Sequence, residues 1–293
     1  MPGAMITLIV GDPFIAAWKT HCQPNWQAYA DKHNLELIPL TLPFDSSPQA
    51  MARHMTWQKL LIAREPRLKE HNNVLWIDAD VIINSEVAPD IFEHIPPGKV
   101  GAVRSDVFFE NPLLRDAFQR VAGNFASIEE YRASPFRHYG MSVVHPYINA
   151  GVLAFRDFDL ALLERIYQKY AAATFKFGDQ IPLSHELASA GLIHEIDPRF
   201  NAEWYCQKYS VYDFSNRFLP EMKRLYIAQA LSACYFLHFC GNLPDMNYHD
   251  PQITLTPNQA TIPLESVEAI ARQIIEKLPP QRRQALLLDN PPQ

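Results

Sequence analysis

The chain has 293 residues, 48% hydrophobic and 20% charged, which is enough to bury one large α/β core or two small ones. Its net charge of -6 argues against a nucleic-acid partner, because binding to a phosphate backbone usually requires a basic excess. The opening segment, MPGAMITLIVGDPF, has no basic region and too short an apolar run for a signal peptide or a membrane span. We therefore expect a cytoplasmic protein.

The cysteine and glycine patterns argue against two common kinds of site. The cysteines, Cys22, Cys206, Cys234 and Cys240, lack C-x-x-C spacing, so we expect reduced, mostly buried thiols without a disulfide or zinc role. The chain has 24 prolines but only 10 glycines, and it contains no G-x-G-x-x-G or G-x-x-x-x-G-K motif. A glycine-rich phosphate loop is therefore not expected.

The first part of the chain predicts a strand, a turn and a helix. An apolar strand, Ile6–Val10, runs into the turn Gly11–Pro13, and apolar residues then recur at helical spacing. Pro24 interrupts the helix, which resumes and continues to Asn34. A second strand follows at Leu35–Leu40.

A longer helix and a central strand come next. The helix is predicted from about Gln49, and Pro66 ends or kinks it. The apolar run Val74–Ile77 then forms a strand that is buried on both faces. Alternating strands and helices of this kind predict an α/β fold with a mostly parallel sheet and helices on both faces. Ligands of such sheets bind outside the carboxyl ends of the strands.

Two carboxylates follow the central strand directly, in the sequence VLWIDADVIIN. In an extended backbone residues two apart point the same way, so Asp78 and Asp80 can converge on one object while the small Ala79 turns away. The two carboxylates repel each other, and Mg²⁺ or Mn²⁺ holding phosphate oxygens would relieve that repulsion. The alternative is a turn or a helix cap without chemistry, because D-x-D is a short and common pattern.

The middle of the chain predicts fewer regular elements. A short helix is expected at Pro89–His94 and a strand at Val100–Val103. The stretch 104–145 is rich in aromatic and charged residues, and we interpret it either as a substrate-facing insertion or as a surface excursion without chemistry. A corner at Asn149–Gly151 then precedes an apolar strand, Val152–Phe155.

Two helices and a late strand are predicted in the part that follows. A helix is expected at Leu160–Ala173, and Gly178 and Asp179 are expected to cap another. The strand in YFLHFCGN brings His238 to its end.

The domain boundary is predicted near residue 250. We expect residues 1–250 to form a single domain and residues 251–293 to form a C-terminal helical tail. The tail contains one amphipathic helix at about Leu264–Lys277.

Four segments stand in a fixed order: WIDADVIIN, YINAG, GDQ and a late HFCG. This series resembles the GT-A glycosyltransferases, in particular the glycogenin and lipopolysaccharide galactosyltransferase family (family 8) and the family 34 galactosyl- and xylosyltransferases. The resemblance covers about Ile6 to Gly241. It implies a GT-A fold and a retaining, metal-dependent transfer of a hexose or pentose from a nucleotide-diphosphate sugar, with a UDP-sugar as the expected donor. The acceptor could be a saccharide, a lipid, a protein or a small molecule.

The resemblance also implies a role for each matching residue. Asp78 and Asp80 would hold Mn²⁺ or Mg²⁺, with His238 as the third protein ligand. Asn149, Asp179 and Gln180 would line the sugar-transfer site. The residues expected at the donor are Val10, Gly11, Asp12, Lys59, Asp78, Ala79, Asp80 and Gly241.

One position departs from the glycogenin pattern. That pattern continues H-x-x-G-x-x-K-P-W, whereas Pro244 stands here in place of the phosphate-binding lysine. The cation for the pyrophosphate must then come from elsewhere, with Lys59 or Arg53 as candidates. Alternatively the chain lies nearer to family 34, which the W-x-K pattern of Trp57–Lys59 resembles.

Other interpretations of these residues stay open. His238 could be a satisfied core histidine, Asn149 a turn residue and Gln180 a helix cap. The D-A-D-V sequence after a strand also approximates the haloacid dehalogenase phosphatases, in which the first acid, here Asp78, is a nucleophile. A catalytically silent module that binds sugar nucleotides is the remaining alternative.

Overall fold

The computed structural model describes residues 3–107, 127–173, 175, 178–210 and 220–251. Nine strands are labelled in chain order: β1 (Gly3–Leu8), β2 (Leu35–Leu40), β3 (Asn73–Ile77), β4 (Val81–Ile83), β5 (Lys99–Arg104), β6 (Ile148–Arg156), β7 (Ile193–Glu195), β8 (Ala202–Glu203) and β9 (Phe236–His238). A 6-stranded sheet has the order β2-β1-β3-β6-β5-β7, and a 3-stranded sheet has the order β4-β9-β8.

The larger sheet is mostly parallel, as predicted, with one reversed strand. β1 runs parallel to β2 and to β3, and β5 runs parallel to β7. β6 lies antiparallel to both β3 and β5. The carboxyl end of β3 and the amino end of β6 therefore meet at the same edge of the sheet.

Helices connect these strands. The α-helices are α1 (Asp12–His21), α2 (Gln23–Lys32), α3 (Pro48–Met51), α4 (Ile128–His138), α5 (Ala161–Lys169), α6 (Gln180–Ser189), α7 (Trp204–Ser210), α8 (Pro220–Ser232) and α9 (Leu243–Met246). Within the described ranges, 3₁₀-helices span Met55–Arg64, Pro66–Glu70 and Pro198–Asn201. Among the described residues, no helix combines the length and the apolar character needed to cross a membrane.

The core lies on both faces of the larger sheet. Neighbouring residues of β3 point to opposite faces, so Leu75 joins a cluster with α1 and α2 while Trp76 joins a cluster with α5 and α6. Both faces of the central strand are buried. The prediction of helices on both faces is confirmed.

Several local predictions are also confirmed. Leu35–Leu40 has the predicted bounds, and the interruption before Pro24 falls at Cys22, between α1 and α2. The helix after Asp179 and the late strand that ends at His238 are present. The expectation of mostly buried thiols, by contrast, holds only for Cys22 and Cys234.

The long helix predicted from Gln49 is wrong. α3 ends after four residues, and the chain becomes extended at His54 (φ -60°, ψ 136°). The His54 side chain accepts a hydrogen bond from the Thr56 amide and starts a 3₁₀-helix instead. This local hydrogen bond from the backbone to a side chain competes with the helical hydrogen bonds and ends the helix. The spacing of apolar residues carries no information about such a bond.

Two other predicted elements differ from the structure. The segment Pro89–His94 forms turns, one of them closed by Asp90 Oδ1 accepting from the Phe92 amide at 2.9 Å. The predicted corner Asn149–Gly151 lies inside β6, because β6 begins at Ile148. Residues 108–126 of the stretch 104–145 and the predicted tail helix at about 264–277 lie outside the described residues.

Candidate active site

A cleft of about 660 Å³ opens where β1 and β3 end and β6 begins. Most of the predicted site residues line it: Val10, Lys59, Asp78, Ala79, Asp80, Asn149, Asp179, Gln180, His238 and Gly241. Gly11 and Asp12 follow Val10 at the start of α1, where Gly11 takes a φ of 99° that favours glycine. The structure therefore brings together residues that are up to 231 positions apart, as from Val10 to Gly241.

Asp78, Asp80 and His238 form a cluster at the centre of this cleft. Each offers a ligand atom, and the three atoms lie within 4.8 Å of one another. The smaller sheet creates this proximity, because β4 follows Asp80 directly and Val81 pairs with His238 in the register of β4 and β9. Two carboxylates and one imidazole are a suitable donor set for Mg²⁺ or Mn²⁺.

Asp80 is held in an ionised, oriented state. Its Oδ1 lies 3.4 Å from His238 Nε2, and its Oδ2 accepts a hydrogen bond from the Gly241 amide. Burial opposes the charge on Asp80, but these two contacts lower its pKa below the ordinary value. The carboxylate is therefore available as a cation ligand at neutral pH.

The His238 ring has partners on both nitrogens. Its Nδ1 lies 2.9 Å from Asn201 Oδ1, and its Nε2 faces Asp80. Burial lowers the pKa of His238, but Cys240 and Asp80 outweigh this effect and raise it. Burial raises the pKa of the Cys240 thiol to about 11, so Asp80 is the charged partner at neutral pH. A cation bound by Nε2 must compete with a proton.

Lys59 is buried between two carboxylates. Its Nζ lies 3.1 Å from Asp78 Oδ1 and 3.5 Å from Asp179 Oδ2, and it donates to the Ala150 carbonyl at 2.7 Å. Burial opposes the charge on Lys59, but Asp179 and Asp78 raise its pKa. Lys59 therefore links Asp78, which belongs to the Asp78-Asp80-His238 cluster, to Asp179, which is one of the residues predicted to line the sugar-transfer site.

The second candidate for the pyrophosphate cation, Arg53, makes different contacts. Its guanidinium lies 3.4 Å from the centre of the Trp57 ring and donates to the Tyr170 carbonyl at 3.0 Å. The contact of Lys59 or Arg53 with a pyrophosphate stays a prediction.

Asp179 and Gln180 lie at the start of α6. Asp179 is buried, which raises its pKa, while Lys59 and Thr56 act in the opposite direction. Asp179 Oδ2 is buried and faces the Lys59 ammonium at 3.5 Å. Gln180 shares a side-chain hydrogen bond with Tyr147. Both residues line the cleft.

The sequence analysis missed three residues near the cleft. Asn201 and Glu203 lie behind the metal cluster, where they contact His238 and Asn149 respectively. Both occur in the segment FNAEW, whose polar residues next to buried aromatic ones were a usable signal. Phe14 lines the cleft with 45% of its surface exposed.

Gly151→Ala is expected to weaken cation binding by displacing His238. A Cβ at position 151 would lie 2.1 Å from His238 Cε1, which no rotamer of alanine can relieve. Overpacking of this kind costs about 1–3 kcal/mol of stability. The measurement is the Mn²⁺ affinity of the metal-free protein by calorimetry.

The matched control is Gly101→Ala in β5, where a Cβ would lie 2.3 Å from Ile95 Cδ1. This variant should lose stability to a similar degree and keep the Mn²⁺ affinity. Equal Mn²⁺ affinities in both variants would contradict the role of the His238 position.

Comparisons with known proteins address the fold. No family model and no curated protein matches the sequence. A solved glycosyltransferase involved in the glycosylation of the major capsid of PBCV-1 matches with a TM-score of 0.52 and 14% identity, over 83% of this chain and 97% of that one. This chain has the GT-A fold. The resemblance inferred from WIDADVIIN, YINAG, GDQ and HFCG is thereby confirmed at the level of the fold.

Two further solved structures show weaker similarity. The bifunctional glycosyltransferase WbbM, in its apo form, matches with a TM-score of 0.48 and 14% identity, over 93% of this chain and 52% of WbbM. The galactosyltransferase LgtC, in complex with donor and acceptor sugar analogues, matches with a TM-score of 0.45 and 15% identity, over 81% of this chain and 87% of LgtC.

Proposed function

We propose that this protein is a metal-dependent, retaining glycosyltransferase. It transfers a hexose or a pentose from a nucleotide-diphosphate sugar, with a UDP-sugar as the expected donor, to a saccharide, lipid, protein or small-molecule acceptor. The observation that carries the proposal is the cluster of Asp78, Asp80 and His238, within 4.8 Å of one another, in the cleft of a GT-A fold.

The donor set explains the choice of metal. Asp78, Asp80 and His238 would hold Mn²⁺ or Mg²⁺, because these ions prefer oxygen ligands and accept imidazole, whereas soft thiolates suit other metals. When bound, the ion supplies positive charge that stabilises the departing diphosphate. The leaving group then needs no strong acid from the protein.

The transfer step exchanges one bond for another at the anomeric carbon of the donor sugar. The bond from this carbon to the phosphate oxygen breaks, and a bond to the acceptor oxygen forms. The acceptor proton passes to the departing phosphate oxygen on the same face of the sugar, so the configuration is retained and no carboxylate base is required.

The residues at the start of α6 act on the sugar in this proposal. Gln180 presents a neutral amide that stabilises the electron-poor anomeric carbon without being a strong nucleophile. Asp179 orients sugar hydroxyl groups through its carboxylate, which lines the cleft and is held by Lys59 at 3.5 Å. Asn149 lines the same cleft.

The nucleoside lies at the end of β1 in this proposal. Val10 lines the cleft there, and Gly11 and Asp12 follow it. The exposed Phe14 ring offers a flat apolar surface on which a base can stack.

The test is the incubation of the protein with α-linked UDP-sugars, Mn²⁺ and candidate acceptors. We expect donor consumption that stops when a chelator is added, and an α-linked initial product. The anomeric proton coupling, read by NMR before mutarotation, reports the configuration. A β product would contradict retention while leaving the transferase proposal intact.

The same experiment separates the alternatives. A donor that raises the melting temperature but is neither transferred nor hydrolysed would indicate a silent binding module. Release of phosphate from phosphate monoesters, abolished by Asp78→Asn, would favour the phosphatase. The GT-A fold favours the transferase.

A further inference from the structure

A chain of buried hydrogen bonds runs behind the metal cluster. Glu203 Oε1 accepts from Asn149 Nδ2 at 2.7 Å, and Asn149 Oδ1 accepts from Asn201 Nδ2 at 3.0 Å. Asn201 Oδ1 then lies 2.9 Å from His238 Nδ1. The exposed fractions of Asn149, Asn201 and His238 are 8%, 2% and 5%. The four side chains form one continuous polar path inside the protein.

The direction of every hydrogen bond along this path follows from the bond to Glu203. Asn149 Nδ2 donates to Glu203 Oε1, so the group of Asn149 that faces Glu203 is its NH₂. The Asn149 oxygen then faces the NH₂ group of Asn201, and the Asn201 oxygen faces His238. Because that oxygen accepts, His238 Nδ1 carries a proton, and Nε2, which faces Asp80, is the nitrogen that can bind a cation once its own proton is lost.

The Asn149 orientation has a second support. Its Oδ1 also accepts from the Gly151 amide at 2.8 Å. If the Asn149 amide were flipped, its NH₂ group would face the NH₂ group of Asn201, and its oxygen would face the Glu203 carboxyl. The Gly151 N–H would then have no acceptor at Asn149. Each such buried mismatch costs free energy, so one orientation dominates.

We propose that Asn201 and Glu203 are positioning residues that turn Nε2 of His238 toward the metal cluster and hold the Asn149 amide in one orientation. The inference rests on the proposed function, since it concerns a ligand of the cation. Partners of metal-bound histidines act in this way, because they choose the ring nitrogen that is left free to bind. Asn201 acts on His238 directly, and Glu203 acts through Asn149.

The test is a calorimetric titration of the metal-free protein with Mn²⁺ at one mildly alkaline pH. Asn201→Leu removes the acceptor for Nδ1, and we expect the affinity to fall about 10- to 100-fold. Asn201→Asp keeps that acceptor, so we expect it to retain most of the wild-type affinity. Glu203→Leu leaves the Asn149 amide without its acceptor, and we expect an intermediate loss.

The control is Asn84→Leu, which removes another hydrogen-bonded asparagine, whose Nδ2 donates to the Leu231 carbonyl at 3.0 Å. It should lose stability without changing the Mn²⁺ affinity. A folded Asn201→Leu variant with wild-type affinity would overturn the proposal, and so would an Asn201→Asp variant as weak as Asn201→Leu.

Three other outcomes are informative. If Asn201→Leu does not fold, the comparison of Asn201→Asp with Glu203→Leu still decides, because only the second should lose affinity. If the wild-type protein itself does not bind Mn²⁺, the proposed function fails. If it binds Mn²⁺ and the variants bind equally well, only the positioning role fails.

Discussion

Asp80→Asn is expected to abolish metal-dependent sugar transfer while leaving the fold intact. One asparagine oxygen can still accept the Gly241 hydrogen bond, so the loop after β9 keeps its anchor. The NH₂ group then faces His238 Nε2 and donates to the lone pair that should bind the cation. Loss of one such charged group from a transition-state site costs about 10²- to 10³-fold in rate. The measurement is the initial transfer rate over a range of Mn²⁺ concentrations.

The control for this variant is Asp90→Asn. Asp90 also accepts a backbone hydrogen bond, from Phe92 at 2.9 Å, but it lies in a turn outside the cleft. Its transfer rate should equal that of the wild type. An Asp80→Asn variant with a normal melting temperature and full activity in the presence of a chelator would refute the metal site.

Lys59→Met is expected to destabilise the protein strongly. It leaves the Asp78 and Asp179 carboxylates without the ammonium that lies 3.1 and 3.5 Å from them. Breaking a buried ion pair by removing one partner costs about 3–5 kcal/mol in the free energy of unfolding. The pKa of Lys59 is raised, so its contribution is complete below the pKa of an unfolded lysine and is lost only as the pH rises through the folded value. The measurement is denaturant unfolding at neutral pH.

The stability deficit of Lys59→Met should shrink as the pH falls. Burial already raises the pKa of Asp179, and removal of Lys59 raises it further, so protonation of this carboxyl favours the folded variant at acidic pH. Adding Asp179→Asn to Lys59→Met should recover part of the lost stability, because one unpaired charge is removed. A deficit independent of pH, with no recovery in the double variant, would contradict this account.

Lys32→Met is the matched control. Lys32 Nζ donates to the carbonyls of Ser85, Glu86 and Ala88 at 3.1, 3.0 and 3.0 Å, without a carboxylate partner in these bonds. Its removal leaves no buried charge, so the loss should be about 1 kcal/mol.

The sequence predicted the elements whose signals are local. An apolar run that ends in two acids identified β3 and the Asp78-Asp80 pair, because burial on both faces requires a continuous apolar strand. Periodicity failed at Gln49, where the His54 side chain bonds to the Thr56 amide. Asn149 was predicted in a corner, but it lies inside β6. Only the later half of β6, Val152–Phe155, is continuously apolar, so the sequence pattern identified only that half as a strand.

The sequence by itself identified the candidate site residues, from Asp78 and Asp80 to His238, through the order of its motifs. Their relative positions were decided by the tertiary structure. The pairing of β4 with β9 places His238 beside Asp80, and the reversed direction of β6 brings Asn149 to the carboxyl end of β3. The tertiary structure also provides the site contacts of three other residues. Lys59 pairs with Asp78 and Asp179, which are 19 and 120 positions away. Asn201 and Glu203 both bond to Asn149, which is 52 and 54 positions away. Pairings between strands depend on the free energy of the whole packed core, and no local pattern of side chains records them.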